Sequence, residues 1–153
     1  MPLLLATTNG YGFAATLGDM VSRQKAGKQF INVDEVAEPL RPQIADAGKD
    51  HSIACLSERG RVLVFAANEV KAQSAGGRGV ILMDLDDGEK LLCAIPVSDA
   101  GVRLTATRGS AGKVAAVELK GAALDAQRGH RARKGKLVDS KLKPPFRLEK
   151  RVD

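Results

Sequence analysis

Apolar residues in this chain come in short runs, and each run meets a glycine or an asparagine. Leu3-Leu4-Leu5-Ala6 breaks at Thr8-Asn9-Gly10 and resumes as Tyr11-Gly12-Phe13-Ala14-Ala15. Ile53-Ala54-Cys55-Leu56 breaks at Glu58-Arg59-Gly60 and resumes as Arg61-Val62-Leu63-Val64-Phe65. Two such runs joined by a turn whose glycine or asparagine adopts positive φ read as a β-hairpin. Further strands are expected over residues 30–33, 80–84, 90–96, 102–107 and 113–119. Only residues 34–38 and 121–127 have a helical pattern, and each is too short to stand alone. The pattern predicts an all-β chain.

The hairpins repeat. Shifted by 50 positions, residues 8–33 lie over 58–83 without a gap: Gly10 meets Gly60, Asp19 meets Glu69, Gly27 meets Gly77, Lys28 meets Arg78 and Ile31 meets Ile81. A third copy starts near Val102, passes through Gly112-Lys113-Val114 and reaches Arg133-Lys134-Gly135-Lys136-Leu137 about six residues late. Units of this length, each made of several strands, predict a propeller-like, radially repeated architecture of about three blades. The approximate units are residues 3–50, 51–100 and 101–138, and residues 139–153 read as a basic tail or a closing strand. Pro144 and Pro145 disfavour a central strand there.

Charge changes the picture at one end. Residues 1–124 carry 14 basic and 14 acidic side chains, whereas residues 125–153 carry 10 basic and 4 acidic, so the whole excess of +6 sits in the last fifth of the chain. Such concentration points to an anionic partner, most often nucleic acid; the alternative is a solvated basic tail. No run approaches the ~18 apolar residues that span a bilayer, no signal peptide opens the chain, and two cysteines make no disulfide scaffold. A soluble cytoplasmic protein with no membrane role is expected.

Each unit places a basic, glycine-bearing loop ahead of a strand. The first holds Arg23, Lys25, Gly27 and Lys28, the second Lys71, Gly76, Gly77, Arg78 and Gly79, and the third Arg128, Gly129, Arg131, Arg133, Lys134, Gly135 and Lys136. Glycine lets the backbone approach a phosphate and Lys and Arg supply charge; three such loops at one phase of a repeat suit a long polyanion. The plainer reading is that Gly and Lys make good solvated turns. Arg23, Lys25, Lys28, Lys71, Arg78, Arg128, Arg131, Arg133, Lys134 and Lys136 are therefore the candidate contacts to such a polyanion. Reversing Arg131, Arg133 and Lys134 together is the mutational test that the sequence suggests.

The stretch from Asn9 to Phe13, then Ser22-Arg23-Gln24-Lys25-Ala26-Gly27-Lys28, then Gly60–Phe65, the basic loops and the closing Arg-Lys-Gly-Lys-Leu resemble the C-terminal DNA-binding domain of the bacterial topoisomerase IV A-type polypeptide over roughly residues 3–138. The resemblance implies a β-pinwheel, a ring or open arc whose neighbouring blades exchange strands. It implies a non-catalytic domain that binds and bends double-stranded DNA, positions the transported duplex, and tunes supercoil relaxation against decatenation. The implied parent is an ATP-hydrolysing type II topoisomerase, partnered by its B-type polypeptide, in the nucleoid-associated bacterial cytoplasm. Gln73-Ser74-Ala75-Gly76-Gly77-Arg78-Gly79 is similar to the gyrase signature loop Gln-Arg-Arg-Gly-Gly-Lys-Gly, but Ser74 and Ala75 replace its arginines. That departure argues against the chiral wrapping the gyrase loop serves. Two alternatives stay open: a DNA-wrapping C-terminal domain of gyrase A, and a protein-interaction module whose basic rim docks an acidic, chromosome-organising protein.

Other chemistry is weaker. Tyr11, the only tyrosine, opens a predicted strand and reads as structural or DNA-facing rather than as a nucleophile. His51 and His130 form no motif, no HExxH or CxxC spacing exists, and no cofactor or metal is expected. Cys55 and Cys93 read as small core hydrophobes. Asp84, Asp86, Asp87 and Glu89 lack calcium-loop spacing and read as a solvated acidic loop between blades. Gly76–Gly79 matches no nucleotide fingerprint.

Overall fold

Glycines set the hairpins. In the computed structural model, which describes residues 2–16, 37–46, 48–70 and 79–151, Gly10 (φ 89°) and Gly60 (φ 87°) close tight turns whose backbone N–H groups donate to Thr7 and Ser57 carbonyls at 3.0 Å. The first turn joins β1 (Pro2–Ala6) to β2 (Tyr11–Thr16), and the second joins β4 (Ser52–Ser57) to β5 (Arg61–Ala66). A third hairpin, β8 (Val102–Arg108) and β9 (Lys113–Leu119), turns where Gly112 donates to Gly109. The remaining strands are β3 (Gln43–Ile44), β6 (Val80–Ile81), β7 (Leu91–Val97), β10 (Lys136–Leu137) and β11 (Leu142–Lys150). The expected helical pattern near residue 121 shrinks to a single turn, Ala122–Asp125. The expected strand at residues 30–33 and most of the pattern at 34–38 lie outside the described residues.

These strands make three antiparallel sheets, ordered β3-β1-β2-β6, β10-β5-β4-β7 and β11-β8-β9. Core clusters join the first sheet to the second and the second to the third, and among the described residues none joins the first to the third, so these blades form an open series. Chain order and sheet membership part company at two strands. β6 belongs to the second unit but pairs with β2 (Tyr11 opposite Ile81), and β10 belongs to the third unit but pairs with β5 (Arg61 opposite Leu137). Each of the first two blades is thus completed by a strand from the next unit. β11 lies on the outer side of β8, and its pairing is interrupted between Lys143 and Arg147, where Pro144 and Pro145 supply no N–H to the ladder.

The core explains the unbroken apolar runs of the middle unit. Successive strand residues face opposite sides. Ala54, Leu56, Val62 and Val64 pack toward the third blade with Val102, Leu104, Leu119 and Leu148. Ile53, Cys55, Leu63 and Phe65 pack toward the first with Leu4, Leu82, Met83 and Leu91. The second sheet is buried on both faces because a blade covers each. β9, at the margin, alternates and stays largely exposed.

Candidate nucleic-acid interface

The third basic loop is held by its backbone. It leaves the helical turn at Gln127, whose carbonyl accepts from Val64 N–H at 3.0 Å, and Gly129 N–H donates back to Val64 at 2.8 Å. Ala132 N–H then donates to Leu82 at 2.9 Å, and Asp84 N–H donates to the Arg133 carbonyl at 2.9 Å. The loop therefore runs from the edge of β5 to the segment after β6 and ends in β10. Buried Gln127 fastens the arrangement: its side-chain amide donates to Val62 O at 3.1 Å and to Lys136 O at 2.9 Å, bridging acceptor and donor strands. Gln127→Leu would leave both carbonyls without that donor, and an unsatisfied buried polar group costs about 1–3 kcal/mol. A drop of that size in urea-unfolding stability is expected, and an unchanged midpoint would show that water replaces the amide.

The side chains of the loop divide into two sets. Arg128 donates from Nε to Asp125 at 2.9 Å and from Nη1 to Ser52 Oγ at 3.0 Å. Arg131 donates from Nη1 to the Ile81 carbonyl at 2.7 Å, while its N–H donates to Glu69. Lys134 pairs with Asp86 at 2.5 Å and lies 3.8 Å from Asp84. Arg133 and Lys136 are exposed, and neither side chain has a polar partner among the described residues. Lys141 and Lys143, which belong to the same basic excess, are exposed in the same way. Arg23, Lys25, Lys28, Lys71 and Arg78 lie outside the described residues.

The acidic run corrects the expectation of a solvated loop. Asp87 is exposed, but Asp86 Oδ2 accepts from Arg59 (3.0 Å) and Arg61 (2.8 Å), and Glu89 Oε1 accepts from Arg61 at 2.5 Å and from Asp86 N–H at 2.9 Å. The Glu89 side chain is 0% exposed. The hydrogen bond from Lys134, followed by that from Arg61, lowers the Asp86 carboxyl to about 2. Burial raises the Glu89 carboxyl, yet the Asp86 N–H, Ser57 and Arg61 hydrogen bonds outweigh it and leave the group below its ordinary value. Asp86 in turn raises Lys134. This network neutralises Lys134 locally and ties β5, the 84–89 segment and the third loop into one piece. A signal was present in the sequence: acidic and basic runs recur at neighbouring phases of the repeat.

Burial pushes the Cys93 thiol up to about 12 and raises Cys55 further, so both sit in the core as neutral thiols. Tyr11 opens β2, half-buried, across from Ile81. Among the described residues no group of His, Cys, Asp and Glu has the arrangement of a metal site.

Antiparallel blades completed by a strand from the following unit define a β-pinwheel, a propeller-like fold. A family model described as the DNA gyrase C-terminal domain, beta-propeller, matches residues 51–98, the span from the start of the second blade to the end of β7. The A-type polypeptide of DNA topoisomerase 4 from Neisseria gonorrhoeae is 33% identical over 134 residues, covering 85% of this chain and 17% of its own length. The polypeptide of the same name from Escherichia coli K12 is 32% identical over 87 residues, covering 57% of this chain and 11% of its own. In fold, the chain matches the E. coli ParC C-terminal domain with a TM-score of 0.77 at 23% identity, over 97% of this chain and 60% of that one. It matches a DNA gyrase A C-terminal domain with a TM-score of 0.69 at 22% identity, over 93% and 46%. The chain belongs to the family of C-terminal domains found in gyrase A and in the A-type polypeptide of topoisomerase IV. It spans about a sixth of the length of the Neisseria relative.

Proposed function

We infer that this chain is a non-catalytic, double-stranded DNA-binding and DNA-bending domain of a topoisomerase IV type enzyme, acting through phosphate contacts. The observation that carries this is the pair Arg133 and Lys136: exposed cations with no polar partner among the described residues, on a segment whose backbone is locked between two blades. A fixed loop holds its charges in place before DNA arrives, so little ordering entropy opposes binding. Lys and Arg that meet phosphates release condensed counterions, and bending a duplex across several blades costs a few kcal/mol that distributed contacts offset. In this reading Arg23, Lys25, Lys28, Lys71 and Arg78 of the first and second loops also contact DNA. Among the described residues the α-helical segment, Ala122–Asp125, is too short to read a major groove, and in this reading sequence preference is weak. Ser74 and Ala75 in place of arginines favour bending over chiral wrapping. In the parent enzyme the domain positions the transported duplex, tunes relaxation against decatenation, and works with the B-type polypeptide in the bacterial cytoplasm on the nucleoid.

Fluorescence anisotropy with a labelled duplex of about 40 base pairs tests this, because neutralising four to six phosphates makes log affinity fall against log salt with a slope of about −4 to −5. Absence of binding at low salt, or binding indifferent to salt, would overturn the reading.

A further inference from the structure

The first two sheets have four strands and the third has three. The difference lies on one side only. β2 is flanked by β6 and β5 by β10, but among the described residues nothing pairs with the outer edge of β9. The turn glycines Gly10, Gly60 and Gly112 put Gly12, Val62 and Val114 at one structural position. Gly12 and Val62 are both buried, each beside its incoming strand, with Val62 also packed in the cluster shared with the third blade; Val114 is 76% exposed.

The two occupied edges also show what fits. Each incoming strand begins with a glycine at positive φ: Gly79 (φ 86°) before Val80-Ile81, and Gly135 (φ 77°) before Lys136-Leu137. A Cβ on Gly79 would lie 2.2 Å from the Gly12 carbonyl oxygen, and one on Gly135 would lie 2.8 Å from that of Val62, the same acceptor position in both blades. Only glycine permits that approach. Both strands end in an aliphatic residue, Ile81 or Leu137, and both follow a basic loop in sequence.

We propose that the outer edge of β9 is an acceptor for an extended segment of a partner polypeptide with this same chemistry: basic residues, a glycine seated over the Val114 carbonyl, one further residue, then an aliphatic side chain. The segment pairs by β-augmentation, main chain to main chain. In the second blade Val64 directs both its N–H and its carbonyl outward, to Gln127 and Gly129 respectively. Alternation along the strand gives Val114 and Ala116 the same outward direction on β9. An exposed edge with free outward groups is a template for such pairing.

The experiment uses the full chain and a labelled peptide with the sequence of residues 131–138, read by anisotropy and by amide chemical shifts. Saturable binding is expected, with shifts centred on residues 113–118. Replacing the peptide glycine by alanine should weaken binding about tenfold or more, as should Ala116→Pro in the chain. Proline at 116 removes an outward N–H and spares the ladder to β8, so circular dichroism should report an intact fold. A scrambled peptide of equal charge separates pairing from simple attraction. Equal binding of the glycine, alanine and scrambled peptides would overturn the proposal, as would no saturation at millimolar peptide. Sedimentation of the chain alone supplies the last arm: self-association that Ala116→Pro abolishes would make the occupant a second copy and overturn the assignment to a different polypeptide.

Discussion

Replacing Glu89 with alanine is expected to destabilise the fold by about 3 kcal/mol, the lower end of the range for breaking a buried ion pair. Its carboxylate is fully buried against Arg61, whose side chain is only 17% exposed and whose Nε already lacks a hydrogen-bond partner. Removing the acid leaves a guanidinium in a poorly hydrated place; Asp86, still 2.8 Å from Nη2, keeps the loss from reaching the top of the range. The chain has no tryptophan and one tyrosine, so urea unfolding is best followed by circular dichroism. Arg61→Met in the Glu89→Leu background should recover part of the loss, because two apolar groups leave no orphaned charge. A single-mutant loss under about 1 kcal/mol would mean that water reaches the pair.

The same network sets a pH dependence. Glu89 and Asp86 have folded-state values below their ordinary ones, Asp86 at about 2, so the unfolded chain binds more protons in acid. Their contribution is fully present above the unfolded carboxylate values of about 4 and is lost as pH falls through the depressed folded values. Stability should therefore drop from about pH 4 towards pH 2, and Glu89→Ala should flatten that limb without abolishing it, since Asp86 remains.

Reversing Arg133 and Lys136 together to glutamate should weaken duplex binding at least about tenfold at low salt and reduce the magnitude of the salt slope by about 1.8, two contacts at 0.9 each. Neither side chain has a polar partner among the described residues, so unfolding stability should stay close to that of the parent. Lys134→Gln is the contrast: with its charge already engaged by Asp86 and Asp84, DNA affinity should fall by less than about threefold. The triple reversal of Arg131, Arg133 and Lys134 would mix the two effects, because Arg131 holds the Ile81 carbonyl and Lys134 the acidic network. Equal loss of affinity for Lys134→Gln and for the double reversal would remove the distinction between paired and unpaired cations.

Much of the architecture was legible in the chain. β9 spans the same residues, 113–119, that the pattern predicts, and β7 covers Leu91–Val97 where 90–96 was expected. The glycine-closed hairpins fall at the expected positions, since positive φ is a local requirement that a single residue reveals. β3 and β10 were not legible as strands: two residues carry no period, and each exists only because another strand lies beside it. The loop cations could be counted but not sorted, because their partners are distant. Lys134 meets Asp86 across 48 positions and Gln127 reaches Val62 across 65.

The sequence by itself determined the β character, the turns, the repeat and which runs would be buried, because side-chain alternation and backbone sterics act over a few residues. Only the tertiary structure decided that the second and third units each give a strand to the blade before, that Arg128, Arg131 and Lys134 are held by the fold while Arg133 and Lys136 face outward, and that among the described residues no strand pairs with the outer edge of β9. Those outcomes depend on which carbonyls and carboxylates come within about 3 Å of each donor, a distance that no local pattern encodes.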